Sequence, residues 1–166
     1  MALPADRSTL TIDNTQQAFD FGAGKAFFVL YELPVFERTY SVSISSMPGG
    51  PLTDMALFVP LVALYDASFR RTRFFDEKTL RNRGNTLERT IFINPGDASE
   101  KYLVVSGSDL SSSIETSYST VTYTPVVAGP VVFNIVGGQD GKTHLRTSPT
   151  GQLEIEVGGL TQQRTK

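Results

Sequence analysis

Apolar and polar residues alternate one by one in several short segments of the chain. Residues 39–45 place Tyr, Val and Ile on one side and Thr and Ser on the other, and residues 86–93 and 152–157 alternate in the same way. Successive side chains of a β-strand point to opposite faces of a sheet, so each segment predicts a strand with one buried and one solvated face. Arg89 interrupts the pattern, because it falls on the apolar side of its segment. Such alternation is typical of antiparallel sheets.

Other segments rich in Val, Ile, Phe, Tyr and Thr extend this pattern. They predict further strands at residues 10–12, 18–21, 26–33, 57–65, 102–106, 117–127 and 131–136. Segments with Pro and Gly separate the strands and predict turns at residues 47–51, 94–97, 128–130 and 137–141. The Ser- and Thr-rich residues 106–120 indicate either the polar edge of a long hairpin or a loop that enters a strand at about Ser117, and we favour the loop.

Only residues 76–83 offer a short helix, with Asp76 as its cap and Gly84 as its end. About ten strands and at most one short helix predict an all-β fold, an antiparallel β-sandwich of jelly-roll-like form. The 166 residues are enough for one core. We therefore expect a single sandwich domain over residues 17–158, preceded by an arm or first strand at 1–16 and followed by a flexible polar tail at 159–166.

The composition excludes several classes of function. A net charge of −2 argues against a nucleic-acid binder, which needs a basic surplus. The chain has no cysteine, which rules out disulfides, thiolate metal sites and cysteine nucleophiles. No apolar run approaches the roughly twenty residues of a membrane-spanning helix.

Catalytic motifs are also missing. His144 is the sole histidine, and no Gly-x-Ser-x-Gly motif accompanies it, so a serine-hydrolase triad and a zinc site both lack their residues. The carboxylates show no spacing that singles out an acid and base pair. We expect no catalytic residues, no metal, no cofactor and no enzymatic activity.

Residues 68–83 concentrate Arg and Phe side chains, which can stack on planar groups and hold anions. An alternative interpretation is a strand with Phe facing inward and Arg facing solvent. The candidate ligand-binding residues in and beside this segment are Tyr65, Asp66, Phe69, Arg70, Arg71 and Arg73. The six tyrosines of the chain add surfaces on which sugar rings can stack, although cross-strand packing is the alternative role for most of them.

Residues 58–70, FVPLVALYDASFR, resemble the central block of the maltose operon periplasmic protein (MalM) family. That family has a similar Pro-containing apolar strand that leads into an Asp-x-x-Phe turn. Residues 28–46 and 87–105 resemble the family's earlier and later strand pairs, and residues 144–155, HLRTSPTGQLEI, resemble its terminal pattern. The blocks keep their order across residues 17–157. The Arg-rich run after Phe69 and the Ser-rich stretch depart from the family.

The resemblance implies a periplasmic protein related to maltodextrin uptake. Met1-Ala2-Leu3-Pro4 lacks the basic and apolar regions of a signal peptide, so we expect that the signal sequence has been removed. It brings no catalytic residues. We therefore expect a non-enzymatic accessory domain that binds a glucan or maltodextrin. The alternative is an envelope module that binds a protein partner through residues 68–83.

Overall fold

A computed structural model describes residues 1–4, 6–21, 24–35, 38–50, 55–83, 85–108 and 113–159. The strands of this part of the chain are β1 (Ser8–Ile12), β2 (Ala18–Asp20), β3 (Lys25–Glu32), β4 (Tyr40–Ser46), β5 (Ala56–Phe58), β6 (Pro60–Asp66), β7 (Arg71–Phe75), β8 (Arg81–Arg83), β9 (Thr86–Ile93), β10 (Glu100–Gly107), β11 (Ser113–Ala128), β12 (Val131–Ser148) and β13 (Gly151–Gly158). Two 3₁₀ turns, Glu77–Thr79 and Pro95–Asp97, are the helical elements within the same residues. The protein is an all-β sandwich, as the alternation predicts.

Two five-stranded sheets form the body of the molecule. Sheet 1 has the order β1-β13-β4-β9-β8, and sheet 2 has the order β2-β3-β10-β6-β7. All neighbours in both sheets are antiparallel. The segment before the predicted domain boundary belongs to this body, because β1 pairs with β13 and the Met1 ammonium donates to the Leu30 carbonyl oxygen.

The core lies between the two sheets. Sheet 1 contributes residues such as Val42, Ile44 and Ile155, and sheet 2 contributes Leu64 and Leu103, all fully buried. The sheet 1 residues are apolar members of the alternating segments, whose opposite faces are exposed or half-buried, whereas β10 of sheet 2 buries residues on both faces. The alternation therefore identifies correctly the inward face of β4, β9 and β13.

Arg89, which interrupts the alternation in β9, also points inward and is only 4% exposed. Its guanidinium lies over the Phe75 ring at 5.4 Å and donates to the Asp76 carbonyl oxygen. Burial lowers the pKa of Arg89. A cation–π contact and one carbonyl thus hold a charged group inside the sandwich.

A hairpin projects from the body. β11 and β12 pair in register from Ser113 with Arg146 to Ala128 with Val131. β12 joins the rest of the molecule by a short parallel pairing with β5, and the Glu115 carbonyl oxygen of β11 accepts from the Asn82 side-chain amide of β8. At this root, Leu145 packs with Leu57, Val59 and Leu87 in a second small core. We call β11 and β12 the arm.

Several predicted boundaries are wrong. The predicted strand at 57–65 is two strands in different sheets, because β5 ends at Phe58, β6 begins at Pro60, and Val59 separates them. The predicted turn at 137–141 lies inside β12, where Gly137 to Gly141 pair with Thr122 to Tyr118. The predicted loop at 106–120 contains the end of β10 and the start of β11; residues 109–112 lie outside the described part.

The predicted helix at 76–83 is also wrong. Asp76 does cap a turn, since its carboxylate accepts from the Lys78 amide, but the turn is a 3₁₀ turn of three residues. Arg81–Arg83 then forms β8. The described residues contain thirteen strands in all, ten of them in the two sheets of the body. Gly84, and all of the predicted tail except Gly159, lie outside the described residues.

Candidate functional site

A trough of about 270 Å³ lies on the outer face of sheet 2, away from the core. Its described lining consists of Phe21, Gly24, Ala26, Leu61, Ala63, Tyr65, Arg71, Phe74, Val104, Ser106 and Gly107. These residues come from β3, β6, β7 and β10 and from the segment between β2 and β3. We call this concavity the trough.

Small side chains make the floor of the trough. Ala63 lies opposite Val104, and Ser106 lies opposite Leu61, in the pairing of β6 with β10. Paired residues of an antiparallel sheet share a face, so Ala63 and Ser106 leave space at the centre of that face. The surrounding side chains are larger, and the centre therefore lies below its rim.

Aromatic rings form the two sides of the trough. On one side Phe21 packs edge-to-face with Phe28 at 5.7 Å and with Phe19 at 5.0 Å. On the other side Phe74 of β7 lies next to Ala63, its register partner in β6, and Phe74 is 48% exposed. Edge-to-face contacts fix ring orientation, so the Phe21 side is preorganised.

Arg71 and Tyr65 bring polar groups to the same place. Arg71 and Tyr65 are register partners on the outer face of β7 and β6. The Arg71 guanidinium lies over the Phe74 ring at 4.9 Å, which holds the group at the rim while its N–H donors stay available. The sequence-predicted residues Tyr65 and Arg71 therefore lie in the trough together.

The end of β6 and the loop that leads to β7 hold three other predicted residues, Asp66, Phe69 and Arg70. Asp66 Oδ1 accepts the Ser68 and Arg70 amides at 2.8 and 2.9 Å, and Asp66 Oδ2 accepts from Arg70 Nε at 3.1 Å. The Arg70 amide is the main cause that lowers the pKa of Asp66. Both carboxylate oxygens of Asp66 thus bind within the loop.

Phe69 closes this loop in an uncommon conformation. Its φ of 57° lies in the left-handed region, which a bulky side chain rarely adopts. The Phe69 ring stacks on Tyr102 with centroids 4.7 Å apart and planes inclined by 1°. Because Tyr102 is the register partner of Tyr65, this stack lies on the same sheet face as the trough.

Arg73 lies on the other side of β7. Its Nη2 is 2.5 Å from Glu100 Oε2, its Nε donates to Glu100 Oε1 at 2.7 Å, and Thr72 donates to the same oxygen. The Glu100 side chain is 3% exposed, and hydrogen bonding to it raises the pKa of Arg73. The structure therefore separates Arg73 from Arg71, and its contacts join β7 to β10.

Phe21, Phe74 and Ser106 lie in the trough but were not among the candidate residues. Phe74 belongs to the Arg- and Phe-rich residues 68–83. Because Phe74 and Phe75 are consecutive in a strand, one of the two rings must face outward. No local pattern connects Phe21 or Ser106 with Tyr65, because only the pairing of β3, β10 and β6 brings them together. The register of the sheet is the missing information.

Other chemistry is sparse in the described residues. They contain no cluster of three or more His, Asp or Glu side chains that could hold a metal ion, and no helix among them is long and apolar enough to cross a membrane. His144 is exposed on β12, opposite Glu115. A Lys142 ammonium 2.7 Å from Glu115 lowers the pKa of that carboxyl.

Comparisons with protein-family models, curated proteins and solved structures find no match to the chain. The resemblance to the maltose operon periplasmic protein family stays a prediction.

Proposed function

We propose that the protein is a non-enzymatic domain that binds a saccharide in the trough. The observation that carries the proposal is the meeting of Tyr65, Arg71 and Phe74 around a floor of small side chains. Sugar rings dock their C–H faces on aromatic rings, and their hydroxyls need polar neighbours. The trough offers both kinds of contact.

The size and charge of the trough define the ligand further. A volume of about 270 Å³ is close to the lower end of small-molecule sites, so the trough fits a short segment of a glycan rather than a long chain. Arg71 is the one charged group of the described lining. Neutral glucans satisfy its N–H donors through hydroxyl oxygens.

The lining also supports a role without catalysis. Glycoside hydrolysis needs two carboxyl groups across the scissile bond. The described lining contains no carboxylate and no imidazole. Asp66, the carboxylate nearest in sequence to Tyr65, has both oxygens bound inside its own loop.

Titration with maltose and longer maltodextrins tests the proposal by calorimetry and by NMR. We expect Phe74→Ala to lower the affinity by about tenfold or more, because the ring is one side of the trough. Phe92→Ala is the matched control, since Phe92 is an exposed Phe of sheet 1, 59% exposed, and should leave the affinity unchanged. Absence of any chemical-shift change at millimolar sugar would contradict saccharide binding.

Arg71→Ser separates hydrogen bonding from stacking. The variant should weaken sugar binding while leaving the fold intact, and Arg81→Ser on the exposed strand β8 should not. Equal affinity for both variants and the parent would remove Arg71 from the site.

The maltodextrin connection and the periplasmic location rest on the family resemblance alone. Osmotic-shock fractionation of cells that produce the protein from its own gene tests the location. Recovery in the periplasmic fraction, together with preference for α-glucans over β-glucans in the titration, is the expected result. Recovery with the cytoplasmic fraction would contradict it.

A second candidate is an envelope protein partner that binds residues 68–83. The exposed Phe69 and Phe74 rings beside Arg70 and Arg71 favour it. Residues 71–75 and 81–83 form edge strands of the two sheets, and Arg side chains on edges also discourage unwanted pairing. The double variant Arg70→Ser/Arg71→Ser should abolish recovery of a specific partner from envelope extract; Arg73 is left intact because of its ion pair with Glu100.

A further inference from the structure

The outer part of the arm exposes an unusual amount of apolar surface. Residues 116–139 contain no Asp, Glu, Lys or Arg. We call the pairs from Thr120 with Gln139 to Ala128 with Val131 the distal hairpin. Its large apolar side chains are 47% to 70% exposed: Val121, Tyr123, Val127, Val131, Val132, Phe133, Ile135 and Val136.

Both faces of the distal hairpin are apolar. Tyr123 with Val136 and Val127 with Val132 share one face, whereas Val126 with Phe133 and Thr124 with Ile135 share the other. In the body, strands such as β4, β9 and β13 bury one face in the core. The distal hairpin has no such core, and a two-stranded hairpin alone is marginally stable in water. Further strands added at its edge would stabilise it.

The edges of the distal hairpin indicate the kind of partner. Among the described residues, β11 pairs with β12 alone, and β12 pairs with β5 only at Arg146–Ser148. Both outer edges of the distal hairpin therefore present backbone N–H and C=O groups. A lipid bilayer would accept the apolar faces but leave these groups without hydrogen bonds, at a cost of several kcal/mol each. A protein strand satisfies them.

The two edges differ in their capacity to pair. β11 carries Pro125, which has no N–H to donate and therefore hinders the pairing of that edge with another strand. The outer part of β12, residues 131–139, has neither proline nor charge. The pairing edge is therefore that of β12.

We propose that two copies of the chain pair the outer β12 edges of their distal hairpins antiparallel about a twofold axis. A twofold contact places the same surface on both copies, so each edge must be compatible with itself. The uncharged residues 131–139 meet that condition, because no like charges face one another. The two hairpins then form one four-stranded sheet, independent of the trough.

The size of the contact predicts its strength. Nine residues at about 3.4 Å and a sheet about 10 Å thick bury roughly 300 Å² on each copy. The total of about 600 Å² is below the roughly 1,000 Å² of a stable interface, so the dimer is weak and depends on protein concentration.

Sedimentation equilibrium from about 1 μM to 1 mM tests the proposal. The mass should rise from monomer towards dimer, and Ile135→Lys should keep the chain monomeric because the two introduced charges lie close to the twofold axis. Thr124→Lys is the matched control, because Thr124 pairs with Ile135 on the same face but lies on β11, the strand that carries Pro125. The Thr124→Lys variant should still dimerise. A parent that is monomeric at 1 mM overturns the proposal.

The absence of cysteine allows a second test that identifies the edge. Under mild oxidation Ile135→Cys should form a disulfide-linked dimer several times faster than Thr124→Cys. Equal rates, or faster linkage of Thr124→Cys, would overturn pairing through β12. Sedimentation of a monomeric chain with vesicles of phosphatidylcholine and phosphatidylglycerol would instead show that lipid covers the hairpin, which also overturns it.

Discussion

The body and the arm are built from the same secondary structure but are stabilised in different ways. In β13, Leu153, Ile155 and Val157 alternate with Gln152, Glu154 and Glu156, and only the apolar set is buried. In the distal hairpin apolar residues occupy both faces, and eight large apolar side chains are exposed. Tertiary burial, rather than strand propensity, therefore decides which residues determine the stability of this protein.

The largest contrast is expected between two phenylalanines. Phe58 is 1% exposed in the core, whereas Phe133 is 47% exposed on the arm. Phe58→Ala should lower the free energy of unfolding by about 3–5 kcal/mol, and Phe133→Ala should change it by less than about 0.5 kcal/mol. Urea unfolding of dilute protein, where the arm does not self-associate, measures both values. Similar losses of unfolding free energy in the two variants would contradict the difference in burial between the body and the arm.

The two regions also differ in their ion pairs. Glu100 is buried against Arg73, and the side chains of Glu115 and Lys142 on the arm are 49% and 71% exposed. Glu100→Ala should destabilise by about 2–3 kcal/mol, because it leaves a partly buried Arg73 without its carboxylate. Glu115→Ala should leave the stability nearly unchanged, because solvent screens this exposed ion pair. Thermal unfolding compares the pair, and a loss in Glu115→Ala equal to that in Glu100→Ala would contradict it.

Two glycines offer a smaller test of packing. A Cβ added at Gly151 in β13 would come within 2.6 Å of the Phe58 Cβ, whereas one added at Gly137 in the arm meets nothing within 4 Å. Gly151→Ala should therefore cost about 1–3 kcal/mol through overpacking. Gly137→Ala should be neutral or stabilise by up to about 1 kcal/mol, because it reduces the freedom of the unfolded chain. Destabilisation by Gly137→Ala, again in urea, would indicate hidden contacts on the arm.

The smallest effect concerns acid. The pKa values of Asp66 in the body and Glu115 on the arm are both lowered, by hydrogen bonds to Arg70 and Lys142 respectively. A carboxyl group whose pKa is lower in the folded protein stabilises the fold at any pH above its pKa in the unfolded chain. That stability is lost as the pH falls through the pKa of the group in the folded protein. Asp66→Asn should flatten the dependence of unfolding on pH below about pH 4, and Glu115→Gln should not, because the arm can open alone. Parallel curves for Asp66→Asn and the parent between pH 2 and pH 5 would contradict this role.

The sequence predicts the sandwich and its buried faces because alternation is a local property of β4, β9 and β13. It does not predict the length of the arm, since Gly137, Gly138 and Gly141 are typical of turns and only their pairing across the hairpin keeps them in β12. It likewise places Tyr65 and Arg71 near each other but leaves out Phe21 and Ser106. Those residues join the trough through long-range strand register, which no local pattern contains.

The position of β13 has a consequence for the order of folding. This strand, formed by Gly151–Gly158, is an interior strand of sheet 1 and pairs with both β1 and β4. Until a ribosome has supplied these residues, β1 lacks its neighbour and β4 keeps an unpaired edge. Sheet 1 therefore closes only after Gly151–Gly158 have been made, and its closure depends on pairing between residues as distant in sequence as Ser8 and Ile155, which favours slow folding.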